Sequence, residues 1–517
     1  MISVVKKYEP YFFLVAVIVF CAPILLSYRF ITLDGPAHLY NSKIIYQLLF
    51  NENSLVDTFF TFNNFPNPNY FYHSLATFLF IFFNDIWVEK IIAIVYVFLF
   101  CYGFRQIVKN AVASNSLSYI AFPFIYSFTF LIGFYNFSFS IAFLFWFIAL
   151  ISKPNFSFSK KNIAFVFVLY TALYFSHLMV FFVAVLIAIT FLLLDFLNKK
   201  QKNIFVLIPA LPFLIIGLWF IITHANHDLP QYLDFNELKN WLIDGRDIIC
   251  RDYSSELFFA RAINYLIIVL LLINLLVLVR NKRKVSLKSI LFCKQSLFLT
   301  GAIFSLFLFL IAPNNLVSGG YLTVRLLLFF HLFALLFIVY SSNKNSILNK
   351  IISIAIFVFS LKMLTIITQQ SIDLGNDYKE YVEINNSIKN QSVVLPIDYS
   401  NNWLNSNYGC YIGSAKSVVV LDNYEASTVH FPLVWKNNNL IPVEHMKDYG
   451  IIYNPSLNIP AYELKTNIKI DYVVRWKYAE ANKNDTNNIF TDSILNKHFV
   501  KVFESTEKKA ELFKHKN

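Results

Sequence analysis

Residues 178–194 read LMVFFVAVLIAITFLLL, a run that holds no charged side chain. An α-helix of this length is about 25 Å long, close to the ~30 Å hydrocarbon core of a bilayer. Similar apolar runs recur up to about residue 370, and a more polar block follows them. We therefore expect an all-α polytopic membrane protein with a small C-terminal α/β domain.

The composition agrees with this class. Of the 517 residues, 57% are hydrophobic and 14% are charged, whereas soluble domains carry about 25% charged residues. The formal net charge is +12, and most of the lysines and arginines lie either in short clusters between the apolar runs or in the polar tail. That distribution is typical of cytoplasmic anchoring and contact with anionic lipid. The lipid bilayer is an expected partner, and nucleic acid is not.

The apolar runs predict eleven to thirteen transmembrane helices. Residues 162–196 are either two short helices that turn at Ser176-His177 or one long broken helix. The predicted spans lie near residues 11–28, 69–83, 88–104, 117–133, 135–152, 162–176, 178–195, 203–223, 261–279, 296–312, 322–340 and 347–367.

Basic clusters between the spans predict the topology of an inner-membrane, multi-pass protein. Those at residues 6–7, 199–202, 280–284 and 344–350 are interpreted as cytoplasmic. The clusters at 105–109 and 153–161 conflict with a simple count, so either 69–104 crosses once or these charges face an external anion.

This topology divides the chain into two predicted domains. Residues 1–370 form a transmembrane domain with a first extracytoplasmic loop at 29–68, and residues 371–517 form a soluble extracytoplasmic α/β domain. Strand-like segments in the second domain lie at 392–398, 416–421 and 468–476.

The first candidate site follows the first span, where residues 32–40 read TLDGPAHLY. Asp34 is a candidate catalytic residue, as general base toward an acceptor hydroxyl or as a ligand of a divalent cation. Asp34-Gly35-Pro36 is also a helix-start signal before an amphipathic stretch at 37–49, and the two interpretations are compatible. His38, four residues on, can share a helical face with Asp34 and bind a metal ion or a phosphate.

The first span, the adjoining aspartate, the amphipathic stretch and the sequence Phe65-Pro66-Asn67-Pro68-Asn69-Tyr70-Phe71-Tyr72-His73 together resemble the GT-C superfamily of integral-membrane glycosyltransferases. The likeness in layout extends over nearly the whole chain. It implies a polyprenyl-phosphate or -diphosphate sugar as donor, a lipid, glycan or protein as acceptor, and Asp34 as the catalytic carboxylate. Gly35 stands where several members carry the second acid of an Asp-Glu pair, and the pattern Asp-Gly-Pro-Ala-His is closer to little-studied bacterial members.

The cofactor is left open by the sequence. A divalent cation, Mg²⁺ or Mn²⁺, is the candidate, and no metal-ligand set is assigned to hold it.

Four further polar residues are candidate substrate-binding residues. Arg325 opens an otherwise apolar helix, where it can meet the donor phosphate or extend to lipid headgroups. His73 resembles the histidines that GT-C enzymes place at the mouth of the pocket. His177 and Asn136 interrupt apolar runs, and a hydrogen-bonded structural role is their alternative.

Other polar groups carry weaker signals. His224 and His227 have ligand-like spacing but lie in a polar loop, and the mixed charges of residues 224–260 indicate either a solvated face or a loop that covers the substrates. Asp422-Asn423-Tyr424-Glu425 could contact the acceptor or form an ordinary turn. The five cysteines show no CxxC spacing, and a disulfide between Cys250 and Cys410 is one alternative.

The predicted function is sugar transfer at the outer face of the inner membrane, with Asp34 and Arg325 expected at the same leaflet. The alternatives are a transporter or flippase of lipid-linked saccharides, a polymerase or ligase of such saccharides, and a non-catalytic scaffold. The sequence contains no Walker loop, GxGxxG or GxSxG element, which argues against an ATP-driven pump, a dinucleotide-binding domain and a serine hydrolase.

Overall fold

A computed structural model of the chain describes residues 2–50, 54–63, 66–153, 156, 159–197, 204–223, 229–249, 251–282, 293–315, 320–428, 430–441, 458–481 and 483–516. The chain forms two compact units. The first unit is Met1–Ala22 with Val95–Ile367, and the second is Pro23–Ile94 with Thr368–Asn517. The predicted division at residue 370 is close to one of these boundaries, but the second unit also takes in residues 23–94.

The first unit is helical. Three of the described helices, Ala22–Leu26, Asp85–Asn110 and Ile347–Glu383, contain the boundaries between the units. The other helices of the first unit are Ile2–Phe20, Phe128–Leu131, Tyr135–Ile151, Lys160–Ser176, Leu178–Leu197, Leu211–Thr223, Phe235–Asp244, Tyr253–Lys282, Lys294–Ile311 and Leu322–Ser341.

The alternative left open at residues 162–196 is decided in favour of two helices. The first begins after Ser159, whose Oγ accepts from Asn162 N at 3.2 Å, and it ends at Ser176. His177 is extended, with φ −160° and ψ 119°, so the helical hydrogen-bond ladder is interrupted before Leu178–Leu197 begins.

Six of the described helices are long and apolar enough to cross a membrane, which supports a membrane-embedded helical protein. Three further apolar helices are shorter: Tyr8–Phe20, Tyr135–Ile151 and Ile208–Thr223. The six are Asp85–Asn110, Leu178–Leu197, Tyr253–Arg280, Lys294–Ile311, Leu322–Ser341 and Ile347–Ser387.

Two predicted spans have a different local structure. Residues 69–83 contain the nine-residue helix Phe71–Leu79, about 13 Å long, which is too short to cross the hydrocarbon core. Residues 117–133 contain a 3₁₀-helix, Asn115–Phe124, and a separate helix, Phe128–Leu131. Pro123 has no amide proton for a continuing α-helix, and Ser127 starts a new turn by accepting from Phe130 N at 3.4 Å.

The second unit contains the strands of the described chain. They are β1 (Phe60–Phe62), β2 (Val393–Asp398), β3 (Val419–Val420), β4 (Leu433–Trp435), β5 (Tyr472–Trp476), β6 (Phe499–Glu504) and β7 (Ala510–His515). Five form a sheet in the order β3-β2-β5-β7-β6, in which β2 is parallel to β3 and β5, while β7 is antiparallel to β5 and β6. The predicted strands at 392–398, 416–421 and 468–476 correspond to β2, β3 and β5. The helices that lie wholly within this unit are Gly35–Phe50, Ser54–Phe59, Phe71–Leu79, Cys410–Ala415, Ile459–Thr466 and Thr486–His498.

The helix Gly35–Phe50 joins the second unit because its side chains find partners in the C-terminal sequence. Tyr40 OH accepts from Val420 N at 2.8 Å, and Gln47 Nε2 donates to Ser417 Oγ at 3.1 Å. Downstream of this helix, β1 pairs antiparallel with β4. The predicted amphipathic stretch is therefore buried over most of its residues.

Candidate functional site

Asp34 lies immediately before the helix Gly35–Phe50, as the helix-start signal predicts. Its backbone oxygen accepts from His38 N at 3.1 Å, and Thr32 Oγ1 accepts from Gly35 N at 3.1 Å. The half-buried carboxylate of Asp34 interacts with the hydroxyl of Tyr424 through a side-chain hydrogen bond. Burial and the negative charge of Asp34 both raise the pKa of Tyr424 well above its usual range, so this hydroxyl remains a donor.

Four residues after Asp34, His38 takes part in a buried cluster with His73 and Glu425. His38 Nδ1 donates to Glu425 Oε2 at 3.0 Å, and His73 Nε2 lies 2.5 Å from Glu425 Oε1. The two imidazole rings are edge to face, with centroids 5.4 Å apart. The exposed fraction is 3% for His38, 1% for His73 and 0% for Glu425. One carboxylate thus bridges two histidines that are 35 positions apart in the sequence.

The electrostatics of this cluster favour an ionised carboxylate. Burial alone raises the pKa of Glu425, but the charges and hydrogen bonds of His38 and His73 outweigh burial and hold the pKa well below its usual range. Glu425 is therefore a fixed negative charge between two nitrogen donors.

Glu425 belongs to a short segment in which four consecutive side chains have separate roles. Asp422 is buried two residues after the end of β3, and Asn423 Nδ2 donates to Asn41 Oδ1 at 2.7 Å. Tyr424 interacts with Asp34, and Glu425 with the two histidines. The sequence predicted either a contact with the acceptor or an ordinary turn for this segment, and it missed Glu425 as the partner of His38. A separation of 387 positions leaves no local pattern that could have identified the pair.

The His38, His73 and Glu425 cluster, called the histidine cluster below, has a donor set that can hold a metal ion. The ligand atoms of the three residues lie within 4.8 Å of one another. Two imidazoles and one carboxylate are ligands of catalytic metal sites that keep a position open. His73 Nδ1 is buried without a hydrogen-bond partner.

The remaining predicted residues belong to the first unit. Arg325 Nη1 lies 3.4 Å from His177 Nε2, and the guanidinium packs on the rings of Phe134 and Phe137 at 4.5 and 5.4 Å from their centroids. Arg325 is half-buried, and the ring of His177 contacts Phe137 edge to face. The structure thus brings together two of the three predicted residues of this unit. Asn136 is buried in the helix Tyr135–Ile151, next to Phe137 in sequence.

The charged loop at 224–260 is not a solvated face throughout. Asp247 is fully buried and its Oδ2 accepts from His331 Nδ1 at 2.8 Å, while His331 Nε2 lies 3.0 Å from Asn264 Oδ1. Asp244 is also buried and accepts from Arg261 Nε at 2.7 Å. These acids anchor the loop to helices by buried hydrogen bonds and by an ion pair with Arg261, whose side chain is 45% exposed.

Some predictions fall outside the described residues, namely those on His224, His227, Phe65 and Cys250. Cys410 is buried and free, and its Sγ donates to the backbone oxygen of Asp422 at 2.9 Å.

No protein-family model matches the chain, and no curated protein is significantly similar to it.

Proposed function

We propose that the chain is a membrane glycosyltransferase that moves a sugar from a polyprenyl-phosphate-linked donor to an acceptor at the outer face of a bacterial inner membrane. The observation that carries the proposal is the local assembly of Asp34 with the histidine cluster. Asp34 is linked to this cluster by its backbone hydrogen bond to His38 and through Tyr424, the sequence neighbour of Glu425. The layout of apolar helices and the likeness to GT-C enzymes supply the substrate class.

In this proposal Asp34 is the general base. Its carboxylate is half-buried, so an acceptor hydroxyl can approach it, and Tyr424 fixes its orientation. Removal of the hydroxyl proton in the transition state makes the acceptor oxygen a better nucleophile toward the anomeric carbon. The C–O bond to the phosphate breaks as the new glycosidic bond forms, and the polyprenyl phosphate leaves as an anion.

Arg325 and His177 are proposed to bind the donor phosphate. The planar guanidinium can donate two parallel hydrogen bonds to phosphate oxygens. The rings of Phe134 and Phe137 hold its orientation and provide apolar surroundings in which the ion pair is stronger.

The histidine cluster is proposed to hold a divalent cation. Its two nitrogen ligands and one oxygen ligand suit Mn²⁺ or Zn²⁺ better than Mg²⁺, which prefers oxygen ligands. Such an ion would supply Lewis-acid stabilisation of negative charge. His38, His73 and Glu425 would hold it, and Asp34 would still carry out the proton transfer.

The test is sugar transfer in membranes that contain the full-length protein, with radiolabelled polyprenyl-phosphate sugars as donors. We expect Asp34→Asn to lower the rate by about 10²- to 10⁴-fold, the range of general-base catalysis. Arg325→Ala should weaken donor binding, with a raised KM for the labelled donor.

The matched controls are exposed residues of the same type. Asp57→Asn and Arg280→Ala alter exposed side chains and should transfer at the wild-type rate. Wild-type activity in Asp34→Asn would exclude Asp34 as the base, and transport of labelled lipid-linked sugar without any transfer product would favour the flippase.

A further inference from the structure

A narrow pocket lies at one edge of the five-stranded sheet, where β2, β3 and β5 run parallel. Open sheets place ligands at the carboxyl ends of their parallel strands. β2 ends at Asp398, β5 ends at Trp476, and Asp422 follows β3 by two residues. All three residues line this pocket, together with Asn405. The proposed glycosyltransferase reaction uses none of them.

Three side-chain oxygens of the pocket have no hydrogen-bond partner. They are Asp398 Oδ2, Asp422 Oδ1 and Asn405 Oδ1. Asp422 is 4% exposed and Asn405 is 0% exposed, so water replaces few of the missing bonds. Buried acceptors without donors are destabilising and rare in folded proteins. Their convergence on one pocket indicates a ligand that accepts electron pairs from oxygen.

The surrounding residues hold these oxygens in place. Ser400 N donates to the other oxygen of Asp398 at 2.8 Å, and Asn405 Nδ2 donates to Ser400 Oγ at 3.2 Å. The second bond places the amide nitrogen of Asn405 on Ser400, so its carbonyl oxygen is the atom left without a partner. The site is therefore formed before any ligand binds.

The two carboxylates also lack a counter-charge. Among the described residues, no ion pair reaches Asp398 or Asp422. Lys477 influences Asp398 through its charge, but its Nζ is paired with Asp377 at 2.9 Å and with Glu480 at 3.7 Å. A buried pair of like charges needs a cation, a shared proton or both.

We propose that this pocket binds one divalent cation of the Ca²⁺ or Mg²⁺ class, with Asp398, Asn405 and Asp422 as its protein ligands. Hard cations prefer carboxylate and amide oxygens, and both ions complete their coordination with water. The pocket has space for about one water-sized particle, which fits an ion and excludes a sugar ring.

The ion would act on the structure around Asp34 through the chain. Asp422 begins the segment whose next three side chains bind Asn41, Asp34 and the histidines. Fixing Asp422 removes rotational freedom at the start of that segment. The cation is thus structural and stabilises the second unit.

The experiment uses full-length protein in detergent, stripped with EDTA, and Tb³⁺ as a luminescent substitute for Ca²⁺. Energy transfer from Trp476 should sensitise the Tb³⁺ emission, and Ca²⁺ should displace it. Saturating Ca²⁺ should raise the Tm by roughly 2–4 °C. Asp398→Asn and Asp422→Asn should each weaken Tb³⁺ binding at least about tenfold and abolish the Tm shift, because each removes a charged ligand.

Two controls keep this site separate from the histidine cluster. Asp373→Asn changes an exposed acid of the same unit and should bind Tb³⁺ like the wild type. His73→Gln should leave the Tb³⁺ titration unchanged, even if sugar transfer is lost. The proposal is overturned if Asp398→Asn and Asp422→Asn bind Tb³⁺ as tightly as Asp373→Asn. It is also overturned if the two Asn variants raise the Tm of ion-free protein while Ca²⁺ has no effect on the wild type, because the carboxyl pair then holds a proton instead of an ion.

Discussion

Glu425 connects two histidines that no local pattern could place beside it. Its two oxygens contact one nitrogen each of His38 and His73, and the cluster is buried. A charge in such surroundings is stable only while its partners remain, because the desolvation penalty is offset by those contacts alone. The bridging carboxylate therefore fixes the geometry of both histidines.

The replacement Glu425→Gln removes the charge and keeps the side-chain volume. We expect a loss of about 3 kcal/mol in the free energy of unfolding, since one buried imidazole loses its carboxylate acceptor and faces an amide NH₂ donor instead. Thermal unfolding of the solubilised protein measures this loss. Glu507→Gln is the control, because the side chain of Glu507 is 60% exposed and its pair with Lys509 contributes little. Equal stability of the two variants would contradict a structural role for the bridge.

At the level of elements, the contact between the helices Gly35–Phe50 and Cys410–Ala415 joins the first loop to the C-terminal sheet. A Cβ added at Gly413 would lie 2.1 Å from Cε2 and 2.4 Å from Cδ2 of Tyr40. Tyr40 is fully buried and its hydroxyl holds Val420, so the ring has little freedom to move away. Close approach of the two helices therefore depends on the missing side chain of Gly413.

Gly413→Ala should accordingly lower the free energy of unfolding by about 1–3 kcal/mol, the usual cost of overpacking a buried contact. The measurement is the Tm in detergent, together with sugar transfer as a report on Asp34. Gly320→Ala is the matched substitution, because its Cβ would meet only Asn315 Oδ1 at an ordinary 3.6 Å. A Gly413→Ala protein as stable as Gly320→Ala would show that Tyr40 can move aside.

How much of the structure could be predicted from the sequence depends on how far apart along the chain the interacting residues lie. Helix starts and strands depend on residues that are close in sequence. The helix start at Gly35 and the strands β2 and β5 were therefore predicted from local patterns. The helix Gly35–Phe50 was expected to be amphipathic, yet it is mostly buried because Tyr40 and Gln47 bind residues some 370 positions away. Asp34, His38 and His73 were selected by residue type, whereas Glu425 and the oxygens around Asp398 required the fold.

At the scale of the whole molecule, the membrane topology is the prediction that a labelling experiment tests directly. The 37-residue helix Ile347–Glu383 is about 55 Å long, more than enough to cross a bilayer of about 40–45 Å with its headgroups. The basic cluster at 344–350 overlaps its first residues, so the positive-inside rule places Asn345 in the cytoplasm and the C-terminal sheet outside.

Introduced cysteines test this topology with a membrane-impermeant maleimide. Leu464 is 87% exposed in the helix Ile459–Thr466, and Asn345 is exposed before Ile347–Glu383. We expect Leu464→Cys to react in intact spheroplasts and Asn345→Cys to react only after lysis, because the reagent cannot cross the bilayer. The parent chain with its natural cysteines is the background, in which Cys21, Cys101 and Cys410 are buried. The opposite labelling pattern would put the C-terminal sheet, and Asp34 in the same unit, in the cytoplasm. In that case a polyprenyl-linked donor presented at the outer leaflet could not be the substrate.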